Sequence, residues 1–550
     1  MRPAASQHRR RLPVSVIAAA VAAALALSGC QAVQVVDSSS PAKDVMSIPI
    51  GDKTIAKGGS LVMALSAEPD RLDPTTSSSL YTRYVMQTMC QKLYDIDGAG
   101  VIVPQLATSL PTFSPDGLTA TIPVRTGAVF ADDSPLNADA VKETIQRGLT
   151  LAGSARKSEL GPITTVTAPD ATHVKITFSQ PFAPLTAALA DRAGMILSPK
   201  ALTRAGAAFG DAPVCVGPFK FSARVPQTSI TVVRDPLYYD AKSVHLDEIT
   251  YRIITDASIR AANLRSGDVQ VADTISTQDI DALSKAKGIG ILQSSSLGYQ
   301  ALTLNLGNVG GVGKPVGSVD TPLATQKTIR EALSMSVDRA ALVKSVFSNW
   351  YEPACSPISP LSPFTSAASE VCPKYDPPAA KKALAAAGVS VPFPIIMKVS
   401  NAPDSLRFAQ ALQAAVADGG FALSIVPVEY STLLTDQSRG TFDMLQLGWS
   451  GRVDPHGNMY NFLATGAGNN YSGYSDPEVD SLLGEAASTN AVKARAALYG
   501  QVVTIVQRDN PVIYLYRPRS LTAYTTNVAG IQTYADGVVH LSGSAFVSSK

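Results

Sequence analysis

The sequence predicts a multi-lobed α/β protein, on three observations. Its 550 residues are too many for one hydrophobic core and suit three or four structural units. Apolar residues make up 45% and charged residues 16%, with 39 Gly and 37 Pro, the composition of a large globular body with many turns rather than of a disordered chain. Helix and strand patterns alternate through residues 307–513, as an α/β sheet requires. There Asp376 and Pro377 open a helix that Gly388 closes, and Asp476 with Pro477 opens another. A net charge of +2, with no basic tail or polybasic stripe, argues against nucleic acid as a partner.

The N-terminus reads as an export signal. Arg2, Arg9, Arg10 and Arg11 precede an apolar segment from Val14 to Leu27, short for a bilayer span but suited to secretion. The segment ends in Leu27, Ser28, Gly29 and Cys30 and resembles a bacterial lipoprotein signal, which implies cleavage before Cys30 and a lipid on that residue. Loss of residues 1–29 removes four arginines and no acid, leaving 42 basic against 44 acidic side chains, a net charge of −2. Residues 30–57 lack helical periodicity and read as a flexible tether.

Four further cysteines, an even number, fit two disulfides in an oxidising compartment. Cys355 and Cys372 bracket a Pro- and Ser-rich loop and are paired, a closure worth about 3 kcal/mol on the chain-entropy estimate. Cys90 and Cys215 then remain for each other. No cysteine pair has the close spacing of zinc sites, and neither a metal nor a cofactor is expected.

Order begins at Gly58. Residues 58–74 give a short apolar strand and a turn, and a helix follows through Tyr84, Val85, Met89 and Leu93. A turn at Pro115 to Gly117 ahead of the strand Thr119 to Val124 predicts a hairpin, and Asn137 caps the next helix.

The stretch Phe442 to Leu463, FDMLQLGWSGRVDPHGNMYNFL, carries the strongest site signal. An apolar strand stops at Gly448 and Trp449. Arg452, Asp454, His456 and Tyr460 follow in a loop punctuated by Gly451, Pro455 and Gly457. Recognition groups concentrated at a strand end face a ligand. The competing reading is a surface turn with one core Trp.

The order of landmarks is more specific than any one of them. GGxL from Gly58, LDP from Leu72, PxLA from Pro104, SxDGxT from Ser114, RxGxxF from Arg125 and ADAV from Ala138 open the series. PVCVGPF (213–219), RDPLYYD (234–240), LRSGDVQVAD (264–273), LTLNL (302–306), TIREALSMSVDRAALV (328–343) and YSDPEVDSLL (474–483) complete it. Over residues 58–525 the chain resembles the solute-binding proteins of bacterial ABC importers, in the large peptide-binding family. The resemblance implies a two-lobed α/β periplasmic-binding-protein fold with a central ligand cleft. Lobe I would comprise 58–90, 209–306 and 514–550, with an extra subdomain at 91–208, and lobe II 307–513. The chain is expected to cross between lobes near Leu304 to Leu306 and to return near Tyr514 to Arg517.

The function implied is that of a lipid-anchored receptor at the outer face of the cytoplasmic membrane, a monomer that delivers a peptide or small polar solute to ABC permease and ATPase subunits. Relatives carry an Asp three residues after the Trp, as partner of the peptide's amino group, where this chain has Arg452. Either Asp454 takes over that role, or Arg452 captures an anionic group, or the two only brace the loop; Trp449 offers an apolar wall in each case. Two alternatives stay open, an anchored hydrolase with an unrecognised site and a binding protein repurposed as signal receptor or chaperone. Against the first, the chain has no GxSxG and no HExxH, its SxxK matches at Ser154 and Ser40 lack the partner motifs, and its histidines are dispersed.

Overall fold

The computed structural model describes residues 43–548. The signal segment, the upstream part of the expected tether and Cys30 lie outside the described residues. Residues 43–57 do not behave as a tether. Val45 bridges Gln293, Ser47 bridges Gln532, and Thr54–Ala56 pairs antiparallel with Ala545–Ser548. The reason is apolar: Ile48, Ile50 and Ile55 pack on a small core of Ala529, Ala545 and Val547.

Two large sheets organise the molecule. The first has seven strands in the order Ile289–Ser294, Ser520–Thr525, Val271–Ala272, Ser60–Leu65, Glu248–Ile253, Ser229–Arg234 and Phe219–Val225. Ser60–Leu65 runs parallel to both its neighbours. The second has six, in the order Glu352–Pro353, Val512–Arg517, Tyr299–Leu304, Met444–Trp449, Phe393–Ser400 and Phe421–Val428, of which the last three are mutually parallel. Each sheet has its own buried core, around Leu61, Met63 and Ile249 in the first and Met397, Phe408 and Met444 in the second.

The passages between sheets differ from the expected ones. Tyr299–Leu304 and Val512–Arg517 are interior strands of the second sheet, hydrogen-bonded to each other. The chain crosses at 295–298 and returns at 518–519. Both strands are buried almost throughout because both of their faces are covered. Their predominantly apolar runs are sheet interior, and the short pieces beside them, residues 295–298 and Pro518 with Arg519, make the links.

A third unit lies within 91–208. Four antiparallel strands, Thr112–Phe113, Thr119–Pro123, His173–Phe178 and Ile163–Asp170, pack with the helix Ala138–Thr150 over a core that includes Phe130, Ile145 and Ile176. The hairpin expected around Pro115 is present, and Asn137 accepts a hydrogen bond from the Ala140 amide at 3.0 Å as that helix's cap. The helix expected through Leu93 spans Leu80–Met89 and stops before Cys90. Both disulfides form, Cys90 with Cys215 and Cys355 with Cys372.

Candidate functional site

A cleft of about 450 Å³ lies where the two sheets face each other, within the usual range of roughly 300–1,000 Å³ for small-molecule sites. Its position follows from topology. In the first sheet the parallel strands Ser60–Leu65, Glu248–Ile253 and Val271–Ala272 end at the cleft, which Ser66, Thr255 and Thr274 line. In the second, Phe393–Ser400, Phe421–Val428 and Met444–Trp449 end there too, contributing Ser400, Glu429 and Trp449. Ligands of open α/β sheets collect at the carboxyl ends of parallel strands, and here two such edges confront each other.

The walls are aromatic and hydroxylic. Tyr81 on the helix Leu80–Met89 meets Tyr430 of the opposite wall edge-to-face, with ring centroids 5.3 Å apart. The Tyr81 hydroxyl pairs with Ser66 Oγ at 2.9 Å, and Ser66 in turn donates to Asp273 at 2.8 Å. Burial, with the Asp273 charge adding to it, pushes the Tyr81 phenol far above its ordinary range, so it stays a neutral hydrogen-bonding group. The walls also touch where Ser276 Oγ donates to Asp404 at 3.2 Å and Arg83 donates to Ser450 Oγ at 3.3 Å.

Of the five side chains singled out in the stretch Phe442 to Leu463, namely Trp449, Arg452, Asp454, His456 and Tyr460, the structure puts one on this cleft. Trp449 lines it, 9% exposed, at the end of its strand, and its indole N–H donates to Asn458 Oδ1 at 3.0 Å. Asn458 also accepts from the Arg452 amide at 2.8 Å and donates to the Arg452 carbonyl at 3.0 Å, so one side chain clamps the whole turn.

Arg452 turns away from the cleft. Its guanidinium lies over the Trp449 ring, 4.1 Å from the centroid, and pairs with Asp191 of the extra unit. Asp191 also accepts from Arg83 Nε at 3.0 Å, and Arg83 reaches Asp536 at 2.6 Å. Burial alone would raise the Asp191 carboxyl, but the guanidiniums of Arg452 and Arg83 outweigh it and hold the group well below the usual carboxylate range. Burial brings Arg452 down to about 9 despite its carboxylate, because Arg83 and Arg192 crowd the same place. Both members of the pair remain charged at neutral pH.

Asp454 is likewise committed, accepting from Arg495 at 2.8 and 2.7 Å in a bidentate pair, and Tyr460 stacks on His456 with centroids 4.6 Å apart. Arg452 and Asp454 therefore do not pair with each other. With Asp191, His456 and Gly457 they border a separate pocket of about 30 Å³, too small for a solute. Among the described residues no group of three or more His, Cys, Asp or Glu is placed to hold a metal.

Most of the cleft escapes sequence reasoning. Tyr81, the adjacent Glu429 and Tyr430, and Gln446 come from three stretches, of which only the last, in the strand ahead of Trp449, adjoins the loop singled out above; the only local sign is that each lies in a strand, just after one or at a helix start.

The model of bacterial extracellular solute-binding proteins, family 5 (middle), matches residues 101–471. Over 490 residues the chain is 28% identical to the glutathione-binding protein GsiB of Shigella flexneri serotype 5b and 29% identical to GsiB of Escherichia coli O1:K1, in each case 86% of this chain and 92% of the relative. The structure superposes on the murein tripeptide binding protein MppA of Escherichia coli with a TM-score of 0.81 at 22% identity, covering 90% of this chain and 100% of that one. On the oligopeptide-binding protein AppA of Bacillus subtilis, solved with a nonapeptide, the TM-score is 0.80 at 23% identity, covering 88% and 98%. The two-lobed periplasmic-binding-protein fold is thereby shown, and the chain belongs to family 5 of the bacterial extracellular solute-binding proteins, the non-enzymatic binding components of ABC importers.

Proposed function

We propose that the protein is a lipid-anchored receptor that captures a peptide or a similar small polar solute between its lobes and hands it to a membrane permease. The observation that carries this reading is the cleft itself, formed where the carboxyl ends of parallel strands from two sheets confront each other across two short chain crossings. Two short links between rigid sheets are the arrangement of a hinge, and closure on a ligand is its ordinary use. Trp449 and the tyrosines supply walls indifferent to side-chain identity, while Ser66, Gln300, Gln446 and Asn401 offer hydrogen bonds to a backbone. GsiB is named for a tripeptide and MppA and AppA for peptides, which supports the same ligand class here. Anchoring rests on the Leu27-Ser28-Gly29-Cys30 ending of the signal.

Two experiments test the reading. Small molecules released by acid from natively purified protein, identified by mass spectrometry, are expected to include peptides near one per chain. Nothing retained, together with no thermal shift from a peptide library, refutes peptide capture. Cys30→Ala is expected to move the protein from the membrane to the soluble fraction, and unchanged detergent partitioning removes the anchor from the proposal.

A further inference from the structure

The charged groups of the cleft are unequally spent. Arg260 and Arg519 are its only cationic lining residues among those described. Arg260 donates to the carbonyls of Asp273, Ile254, Thr255 and Thr274 at 2.6 to 3.2 Å. Arg519 is held by Asp44 and Ser295, with only its Nε left without a partner. Glu68 is consumed as well, one oxygen by Arg224 at 2.7 Å and the other by the Gln227 amide at 2.9 Å.

Two carboxylates differ. Glu429 follows the strand Phe421–Val428 and caps the helix Tyr430–Arg439, its Oε2 accepting from the amides of Ser431 and Thr432 at 2.8 and 3.1 Å and from Ser431 Oγ at 2.6 Å. Its Oε1 has no partner among the described residues, and no cation pairs with it there. Asp404 stands beside the end of the neighbouring strand and is partly neutralised by Arg407 at 3.0 Å. Both helix starts on this wall, which would otherwise attract an anion, are thus already met by the protein's own carboxylates.

We infer that Glu429 is a specificity-determining residue that selects ligands bearing an ammonium or guanidinium group and disfavours acidic ones. The inference rests on the cleft being the solute site, and it separates this protein from a receptor for acidic tripeptides such as glutathione. Closure would bury the free oxygen against a ligand cation, and a charge-assisted contact of that kind corresponds to about 10- to 100-fold in affinity.

The test is calorimetric titration of the mature protein with Ala-Lys-Ala, Ala-Gln-Ala and Ala-Glu-Ala, which differ in one side chain. The Lys peptide is expected to bind at least about 10-fold tighter than the Gln peptide, with the Glu peptide weakest. In Glu429→Gln, whose amide oxygen can still cap the helix, the Lys-to-Gln ratio is expected to collapse toward one, and Glu429→Asp should retain part of it. A ratio unchanged in Glu429→Gln, or tightest binding by the Glu peptide, overturns the inference and leaves peptide capture standing. If none of the peptides binds, cadaverine and glutarate serve as non-peptide probes. Thermal stabilisation by cadaverine that is lost in Glu429→Gln then upholds Glu429 and refutes peptide capture, and no response to cadaverine refutes both.

Discussion

Asp191, in the extra unit, is the counter-ion of Arg452, in the loop after the cleft strand, and it shares its other oxygen with Arg83 of the first lobe. One buried carboxylate thus joins three parts of the chain. Breaking a buried ion pair costs about 3–5 kcal/mol, because the survivor is left charged without a partner. Asp191→Ala strands Arg452, whereas Arg452→Ala leaves Asp191 with Arg83. Both variants should lose stability in urea melts without ligand, Asp191→Ala by more. Were Arg452 a ligand contact, Arg452→Ala would instead weaken binding and leave the ligand-free melt alone.

The Asp454–Arg495 pair predicts a similar outcome by another route. Asp454→Asn keeps the shape of the side chain but strips the charge from beneath Arg495, whose side chain is 4% exposed. A loss of about 3 kcal/mol is expected in the ligand-free protein. An unchanged melt combined with weakened solute binding would return Asp454 to the ligand.

His456 gives the pH dependence a defined window. Burial lowers its imidazole to about 4, it stacks on Tyr460 and meets Phe182 edge-to-face, and neither ring nitrogen has a partner among the described residues. In the unfolded chain the group takes a proton near pH 6.5, so between about 6.5 and about 4 the unfolded state binds a proton that the folded state does not. Stability is therefore present above about 6.5 and falls as the pH drops, by up to about 3 kcal/mol at pH 4. His456→Phe loses no hydrogen bond and should flatten this decline in melts at pH 7, 5.5 and 4. Part of the slope will remain, since burial depresses His540 too. Below about pH 4 a second loss is expected as Asp191, depressed in the folded state, is protonated.

The disulfides divide by loop length. On the chain-entropy estimate Cys355–Cys372, separated by 17 residues, contributes about 3 kcal/mol, and Cys90–Cys215, separated by 125, about 5. Cys215→Ser with Cys90→Ser should therefore lower the melting temperature more than the double replacement of Cys355 and Cys372. Equal effects would mean that the reduced unfolded chain keeps the 125-residue segment compact.

What the sequence makes legible is local. Trp449 at a strand end, the Asn137 cap, the turn at Pro115 and the pairing of Cys355 with Cys372 each depend on residues close together in the chain, and each stands in the structure as read. What it hides is long-range. Arg452 and Asp454 look like recognition groups because their counter-ions, Asp191 and Arg495, sit in other segments that no spacing connects to the loop. The stretches Leu304 to Leu306 and Tyr514 to Arg517 look like crossings because a buried strand and a short apolar linker have similar composition; only sheet pairing shows that Leu304 closes one strand of the second sheet and that Tyr514 to Arg517 lie within another. Glu429 carries no motif at all; its meaning comes from the partners that the other cleft charges have and its free oxygen lacks.

Binding of a solute between the carboxyl ends of the strands in both sheets is tested most directly by hydrogen exchange of the mature protein with and without a saturating peptide, read by mass spectrometry. Protection is predicted in both walls together, around Ser66 to Glu68 and Thr255 to Ala257 in the first lobe and around Ser400 to Ser405, Glu429 to Tyr430 and Gln446 to Ser450 in the second. Binding that protects only one wall, or that protects the loop around Asp454 and His456 while the strand ends exchange as before, would contradict it.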